Sequence, residues 1–298
     1  MSNRDNVQRG ISEPENKNVF LDLLSRVTRR VPYRFPGQWG YQSYEPRIYR
    51  TLAKIMRQAT ALEFEALLTD YIEFVRTEDL QLEEHFSLEF AEICINTILY
   101  WVFARRGNPD LVKTLLDKTT GYPDDQTDNL ALLWRPFTPV YSPSPLSGVT
   151  PLNYVAQTRQ HRVLKVLMQY GLLEKERCPT YFVLTVMFYP PRLQVLDELD
   201  LANIMDDARR CIVLCARVLT HISVLDIEAQ VGFGRMPLVP DWRDCIPVTR
   251  YRDPCELSHL CRVTLRACLL TLGSRNLPAS INALPLPAAL QNFLNLES

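Results

Sequence analysis

Cysteine and histidine side chains are the residues of this sequence best suited to bind a metal. Cys211 and Cys215 are one helical turn apart, and His221 and Cys245 follow downstream. Thiolate and imidazole groups of this kind can hold Zn²⁺ with tetrahedral geometry. However, the two cysteines do not form a CxxC motif, and they lie in an apolar run that ends at Ala216. We therefore expect thiols packed in the core, with no metal and no other cofactor.

Catalytic side chains are not arranged in any recognisable motif. None of the four histidines, at positions 85, 161, 221 and 259, is framed by GxSxG or HExxH. Asp124, Asp125 and Asp128 form a carboxylate cluster that is typical of a solvated loop, and no general acid–base pair is evident. Neither GxGxxG nor a P-loop occurs in a chain with only 10 glycines. The sequence therefore favours a protein that is not an enzyme.

Composition limits the classes of partner. The chain has 298 residues, 47% hydrophobic and 22% charged, which is enough apolar material for a sizeable core. Its net charge of -1 gives no reason to expect nucleic acid or a membrane as partner. Met1–Lys17 lacks the apolar centre of a secretory signal, and the run Ile93–Ala104 is too short to cross a bilayer. We expect an intracellular protein in the cytoplasm, with the nucleus as an alternative location.

Most of the chain has the periodicity of helices. Ile48, Leu52, Ile55 and Met56 recur at helical spacing, and helix breakers separate further apolar blocks up to about Gly232. No long two-residue alternation is present, so strands should be scarce. These patterns predict an all-α fold, with a helical repeat region over residues 46–232.

Residues 1–45 are predicted to be an N-terminal extension that is disordered in its first part. A short amphipathic helix is expected over Asn18–Arg30. The segment Pro32–Pro46 is rich in aromatic residues and is expected to pack along the first helices. An aromatic surface that binds a peptide is the alternative interpretation of that segment.

An internal repeat lies in the middle of the chain. Ala104 and Ala156 are 52 positions apart (156 − 104), and the same offset aligns Leu111–Leu116 with Val163–Met168. Both copies predict a short helix, a tight break and a second helix. Thr150, Pro151 and Leu152 open the clearer copy, Ala156 leaves room for close helix packing, and Gly171 suits a helix C-cap with positive φ.

The clearer copy resembles an ankyrin repeat, whose pattern is G-x-T-P-L-x-x-A-A followed by V-V-x-L-L-L and a glycine. The spacing of 52 exceeds the roughly 33 residues of such a repeat. The excess falls in a proline-rich insert near residues 118–147. The resemblance implies a degenerate ankyrin-type solenoid, in which flanking helices stack to complete the core.

The C-terminal segment begins with a strong helix start, Asp253-Pro254-Cys255-Glu256, which predicts a capping box between its first and last residues. Arg262 and Arg266 lie off the apolar stripe of the helix that follows. Gly273 is the predicted terminator. The stripe itself consists of Leu257, Leu260, Cys261, Leu265, Cys268 and Leu269.

A second apolar motif follows at Leu284-Pro285-Leu286-Pro287. The two prolines favour extended conformations at Leu284 and Leu286. Pro287 can then begin a last helix with Leu290 on its apolar side.

Together these motifs resemble the SOCS box. Leu257-x-x-x-Cys261-x-x-x-Leu265 is similar to its elongin-binding box, and the Leu-Pro-Leu-Pro run from Leu284 is similar to its cullin box. Ankyrin-like repeats followed by such a module are typical of the ankyrin repeat and SOCS box family. Further segments, among them Trp39-Gly40-Tyr41, extend the resemblance over nearly all of the chain beyond the first 17 residues.

The resemblance implies a substrate-recognition subunit of an elongin–cullin ubiquitin ligase, with a three-helix SOCS box at residues 253–298. Leu257, Leu260, Cys261 and Leu265 would bind elongin C, which pairs with elongin B. The cullin-binding residues would be Leu284, Pro285, Leu286, Pro287 and Leu290, with a choice of cullin five over cullin two. The RING partner of that cullin would supply the ubiquitin chemistry, and the protein substrate is not identified.

Two alternatives stay open at this point. The residues Leu257, Cys261 and Leu265 could form an ordinary buried helix face. The whole protein could also be a non-catalytic scaffold of ankyrin type that assembles no ligase.

Overall fold

The computed structural model describes residues 18–28, 45–78, 84–120, 151–175, 179–188, 198–272 and 276–297. Within these ranges the chain is helical and contains no strand, so the predicted all-α fold is confirmed. The aromatic segment Pro32–Pro46 lies almost wholly outside them, as do the insert beyond Thr120, Thr150 and Gly273. No helix in the described ranges is long and apolar enough to cross a membrane.

The helices of the first part of the chain fall into two stacked layers. The first layer contains α2 (Glu45–Gln58), α4 (Glu84–Leu99) with a π-helical continuation (Tyr100–Arg106), α6 (Pro151–Thr158) and α9 (Pro179–Phe188). The second contains α3 (Ala61–Glu78), α5 (Pro109–Thr120), α7 (His161–Gln169) and α10 (Glu198–Val218). Each helix packs against the next of its own layer, which is the arrangement of a solenoid.

Shorter elements complete the fold. Helix α1 (Val19–Thr28) packs on α3, where Phe20 meets the Tyr71 ring edge-on at 5.3 Å between centroids. Helices α8 (Leu172–Lys175) and α11 (Val224–Gly232) and two 3₁₀ turns (Trp242–Cys245 and Val248–Arg250) lead from the layers to the C-terminal helices. These are α12 (Leu257–Thr271), α13 (Leu277–Asn282) and α14 (Ala288–Leu294), so the predicted three-helix module is present.

Local sequence sets several helix starts. Thr60 and Glu63 form a reciprocal capping box before α3, in which Thr60 N donates to Glu63 Oε2 at 2.8 Å and Glu63 N donates to Thr60 Oγ1 at 3.3 Å. Ser223 caps α11 by accepting from Asp226 N. These side chains satisfy amide groups that the first helical turn leaves without a backbone acceptor.

The internal repeat is partly as predicted. The clearer copy forms α6 and α7, with Leu152 and Ala156 fully buried between neighbouring helices. In the other copy the first helix is not short, because it continues α4 without interruption and ends as a π-helix at Arg106. Gly107, with φ of +53°, donates from its amide to Val102 O and closes this helix.

Candidate functional site

Helix α12 exposes the apolar stripe that its sequence predicted. Leu257 is 76% exposed and Leu265 is 44% exposed, and Leu260 and Cys261 are exposed beside them. A stripe of this kind, left open to solvent, is the usual mark of a surface that binds another protein. The alternative of an ordinary buried helix face is therefore wrong for these residues.

The buried face of α12 is polar instead. Arg266 is only 1% exposed, and its Nε donates to Glu174 Oε1 of α8 at 2.5 Å. Its two terminal nitrogens donate to the carbonyl oxygens of Leu294 and Met168. One guanidinium thus joins α12, α14 and the end of α7, and the charge is paired and well bonded, as burial requires.

One turn earlier, Arg262 and His259 form a second buried polar cluster. The guanidinium of Arg262 lies 4.4 Å from the centroid of the Phe293 ring and 3.1 Å from His259 Nδ1. Since arginine can only donate, Nδ1 must accept, and Nε2–H donates to Leu219 O at 3.0 Å. Burial, with the neighbouring Arg250 charge, lowers the pKa of His259, and burial lowers the pKa of Arg262 to about 10.

The start of α12 differs from the predicted capping box. The helix begins at Leu257, and Glu256 at the N-cap makes no side-chain capping bond. Its carboxylate instead accepts from Arg250 at 2.8 Å and from Thr249 at 2.9 Å, which lowers the pKa of Glu256 to about 2. The buried Arg250 competes for this carboxylate more strongly than a backbone amide does, because the bond it forms is charge-assisted.

The proline-containing motif between α13 and α14 has one exposed edge and one packed edge. Pro285 and Pro287 are exposed, whereas Leu284 and Leu286 are half-buried against Leu277, Ile281 and Leu294. Pro287 is the N-cap of α14, as predicted for a residue that begins the last helix. Leu290, three residues after Pro287 on that helix, is exposed to solvent. Gln291 Nε2 donates to the carbonyl oxygens of Asn282 and Leu284 and fixes the turn.

One of the repeat residues that the sequence singled out, Gly171, lies next to this module. Gly171 has φ of +89°, as predicted for a C-cap, and a methyl group at its Cα would stand 2.8 Å from Leu270 Cδ1 of α12. Pro151 is buried at the start of α6. Asn276 of the module donates to Asp117 of α5 at 2.8 Å, so α5 contacts the module as well.

Comparison with known proteins identifies both parts of the chain. The SOCS box family model matches residues 253–295. A protein of Canis lupus familiaris called Ankyrin repeat and SOCS box protein 17 is 54% identical over 298 residues, which is 100% of both chains. The Homo sapiens protein of the same name is 56% identical over 280 residues, 94% of each chain. The chain belongs to the ankyrin repeat and SOCS box family. No solved structure matches it significantly.

Members of the ankyrin repeat and SOCS box family are adaptor-type proteins, and the SOCS box indicates an adaptor role in a ubiquitin ligase. The family-model match begins at Asp253, the residue at which the sequence placed the start of the module. It covers the exposed stripe of α12 and the proline-containing motif together.

The cysteine and histidine side chains that the sequence offered as metal ligands do not form a site within the described ranges. Cys211 and Cys215 are fully buried in the core, and burial raises the pKa of the Cys215 thiol to about 12. His221 is exposed outside that core. No group of three possible metal ligands occurs among the described residues. His161 is half-buried, and its Nδ1 lies 2.7 Å from Asp207 Oδ1.

Two features of the site were not predicted. The exposed stripe of α12 continues to Leu272, a residue beyond the end of the predicted apolar positions. The burial of Arg262 and Arg266 was also missed, because position off an apolar stripe ordinarily indicates exposure. Their four-residue spacing, which puts them on one side of the helix and away from the stripe, was the signal that they share an environment.

Proposed function

We propose that the chain is the substrate-recognition subunit of an elongin BC–cullin–SOCS-box ubiquitin ligase. The observation that carries this proposal is the exposed apolar stripe of α12, whose opposite face is fixed to the repeats by Arg266. A helix held in this way presents Leu257, Leu260, Cys261 and Leu265 without any need to unfold. The burial of these side chains in an apolar pocket of elongin C would then provide the main binding free energy.

The cullin contact is assigned to the exposed edge of the second motif. Pro285, Pro287 and Leu290 face solvent, and Leu284 and Leu286 support them from below. We assign cullin five and its RING partner to this edge on the strength of the Leu-Pro-Leu-Pro sequence. The chain itself supplies no catalytic group in this proposal and acts inside the cell, in the cytoplasm or the nucleus. It raises the local concentration of a bound substrate near the charged conjugating enzyme.

Capture of purified elongin B–elongin C tests the first contact. Leu257→Gln with Leu265→Gln removes apolar groups from the stripe while leaving the buried face of α12 intact. We expect loss of capture in size-exclusion chromatography. Leu62→Gln with Leu225→Gln is the matched control, because these leucines are 76% and 77% exposed elsewhere. Capture by the stripe variant equal to that of the control would exclude the proposed contact.

The second contact is tested with elongin B–elongin C already bound. Pro285→Ala with Pro287→Ala should weaken cullin five binding in biolayer interferometry while elongin capture is kept. Pro240→Ala with Pro254→Ala, at two other exposed prolines, is the control. If the chain captures a partner protein but neither elongin nor cullin, the scaffold alternative holds.

A further inference from the structure

Helix α2 carries three cationic side chains on one exposed face. Arg50, Lys54 and Arg57 follow at intervals of four and three residues, so they project from the same side of the helix. All three are exposed, and none forms an ion pair with a carboxylate of the described ranges. The net charge of the whole chain is only -1, so this face is a local concentration of positive charge.

A cavity of about 300 Å³ lies along this cationic face. Besides the three cations, its walls are Tyr49 and Ala53 of α2 and Trp101 of the π-helical segment. The Tyr49 and Trp101 ring centroids are 6.5 Å apart. Both helical segments belong to the first layer of the solenoid, and one surface of such stacked repeats is commonly used to bind proteins.

One wall of the cavity contains a polar group without a partner. Trp101 is only 9% exposed, and no described residue accepts a hydrogen bond from its buried Nε1–H. A buried donor of this kind is rare in a folded protein, and leaving it unsatisfied costs free energy. Because this nitrogen is itself buried, a ligand in the cavity is recognised by the three cations and the aromatic surface and not by this donor.

The spacing of the cations fits an extended peptide. Along α2 the Cα atoms of Arg50 and Lys54 are about 6 Å apart and those of Arg50 and Arg57 about 10.5 Å apart, at roughly 1.5 Å per residue. Side chains on one side of an extended strand repeat every two residues, at about 6.6 Å. The first interval matches this repeat, and the second, at about 4.5 Å, is about 2 Å shorter, a difference that the long side chains of Lys54 and Arg57 can span.

The geometry points to a binding site on α2 and Trp101 for an extended acidic peptide segment of a protein substrate. Three cations over about 10 Å are too few for nucleic acid, where specific proteins make about 6–10 phosphate contacts. They are also fewer than the 4–8 basic residues typical of an anionic membrane site. A short carboxylate-bearing peptide, with an aromatic floor beneath it, matches this number of charges.

This inference rests on the proposed function in one respect, because it assigns the substrate class of that adaptor. Peptide binding and elongin capture are separate measurements on the same full-length protein, since the cationic face is on α2 and the elongin stripe is on α12. Elongin capture should be unchanged by substitutions on α2. Failure of the ligase proposal is therefore distinguishable from failure of this one.

The test uses a fluorescein-labelled peptide with glutamate at alternate positions and its glutamine counterpart. Anisotropy titration with the full chain should show binding of the glutamate peptide only. Arg50→Gln, Lys54→Gln and Arg57→Gln together should weaken it about tenfold or more, since each ion pair to the peptide is lost. The control combines Lys113→Gln, Arg235→Gln and Arg252→Gln, three exposed cations elsewhere, and should bind like the parent.

Equal weakening in the α2 and control variants would overturn the inference, because net charge alone would then explain binding. Equal affinity for the glutamine peptide would overturn it as well. Phosphatidylserine vesicles that sediment with the parent chain and not with the α2 variant, in the absence of peptide binding, would assign the face to a membrane instead. Cation-dependent peptide binding without elongin capture would support the site and refute the ligase proposal.

Discussion

Helices α7 and α12 both carry apolar residues at helical spacing, yet the structure uses their apolar faces in opposite ways. In α7 the apolar positions Val163, Leu164, Leu167 and Met168 are all fully buried between α5, α6 and α10. In α12 the apolar stripe lies toward solvent over most of its length, and the buried side chains are those of arginine and histidine. The period of a pattern reveals that a helix has two faces, and the neighbouring elements decide which of them is covered.

The comparison also separates two kinds of stabilisation. Helix α7 is held by apolar burial, which is not directional and tolerates some rearrangement. Helix α12 is held mainly by directional bonds that Arg266 and His259 make to other elements, with an apolar contribution from Leu270. Such bonds fix the orientation of the helix, and a docking helix that must present Leu257 and Cys261 in one position benefits from that. The predictions below test this difference, from the largest expected effect to the smallest.

The largest effect is expected at the buried ion pair. Arg266→Ala leaves Glu174, whose side chain is buried, without its cation, and should lower the free energy of unfolding by about 3–5 kcal/mol. Urea denaturation followed by circular dichroism measures this. Arg266→Leu with Glu174→Leu removes both charges and should recover most of the loss. An Arg266→Ala variant as stable as the parent would contradict the assigned role of the ion pair.

Matched leucine truncations compare the two apolar faces directly. Leu167→Ala in α7 should cost about 2–5 kcal/mol, because it leaves a cavity in the core. Leu265→Ala in α12 should change stability by no more than about 0.5 kcal/mol, because that side chain is already partly in water. The same urea experiment serves for both. A large loss with Leu265→Ala would show that the stripe packs against the chain itself.

Two glycines test the contact between the repeat and α12. Gly171 and Gly234 both have positive φ, at +89° and +81°, so alanine should cost each about 1–2 kcal/mol in backbone strain. Only Gly171 has a neighbour within reach, Leu270 of α12. Gly171→Ala should therefore be the more destabilising change, and thermal unfolding compares the two. When Leu270→Ala is added to each glycine variant, the difference in melting temperature between the two should become smaller.

The smallest effect is a pH dependence of the α12 contact. The pKa of His259 is lowered by burial and by the Arg250 charge, so the unfolded chain binds a proton at a higher pH than the folded one. Stability should therefore fall as the pH drops below about 6.5, the ordinary histidine pKa. Glu256, with a pKa of about 2, stays ionised in this window. Between pH 7.5 and 5.5 the free energy of unfolding of the His259→Gln variant should depend less on pH than that of the parent chain.

The local features of the chain could largely be predicted from its sequence. The helical class, the clearer repeat with its Gly171 turn and the three helices of the module are all confirmed by the structure. Each depends on residues close together in sequence, such as a glycine after a helix or a proline at its start. The α12 capping box was predicted wrongly, because Arg250 takes the Glu256 carboxylate that the local motif would use.

The sequence by itself determined that α12 has an apolar stripe and that a proline-defined motif follows it. Only the tertiary structure decided that this stripe faces solvent. The reason is that Arg266 finds its carboxylate on Glu174, 92 positions away, and a carbonyl on Met168, 98 positions away. Helical periodicity carries no information about partners so distant, and a buried arginine is stable only where the fold brings such acceptors to it.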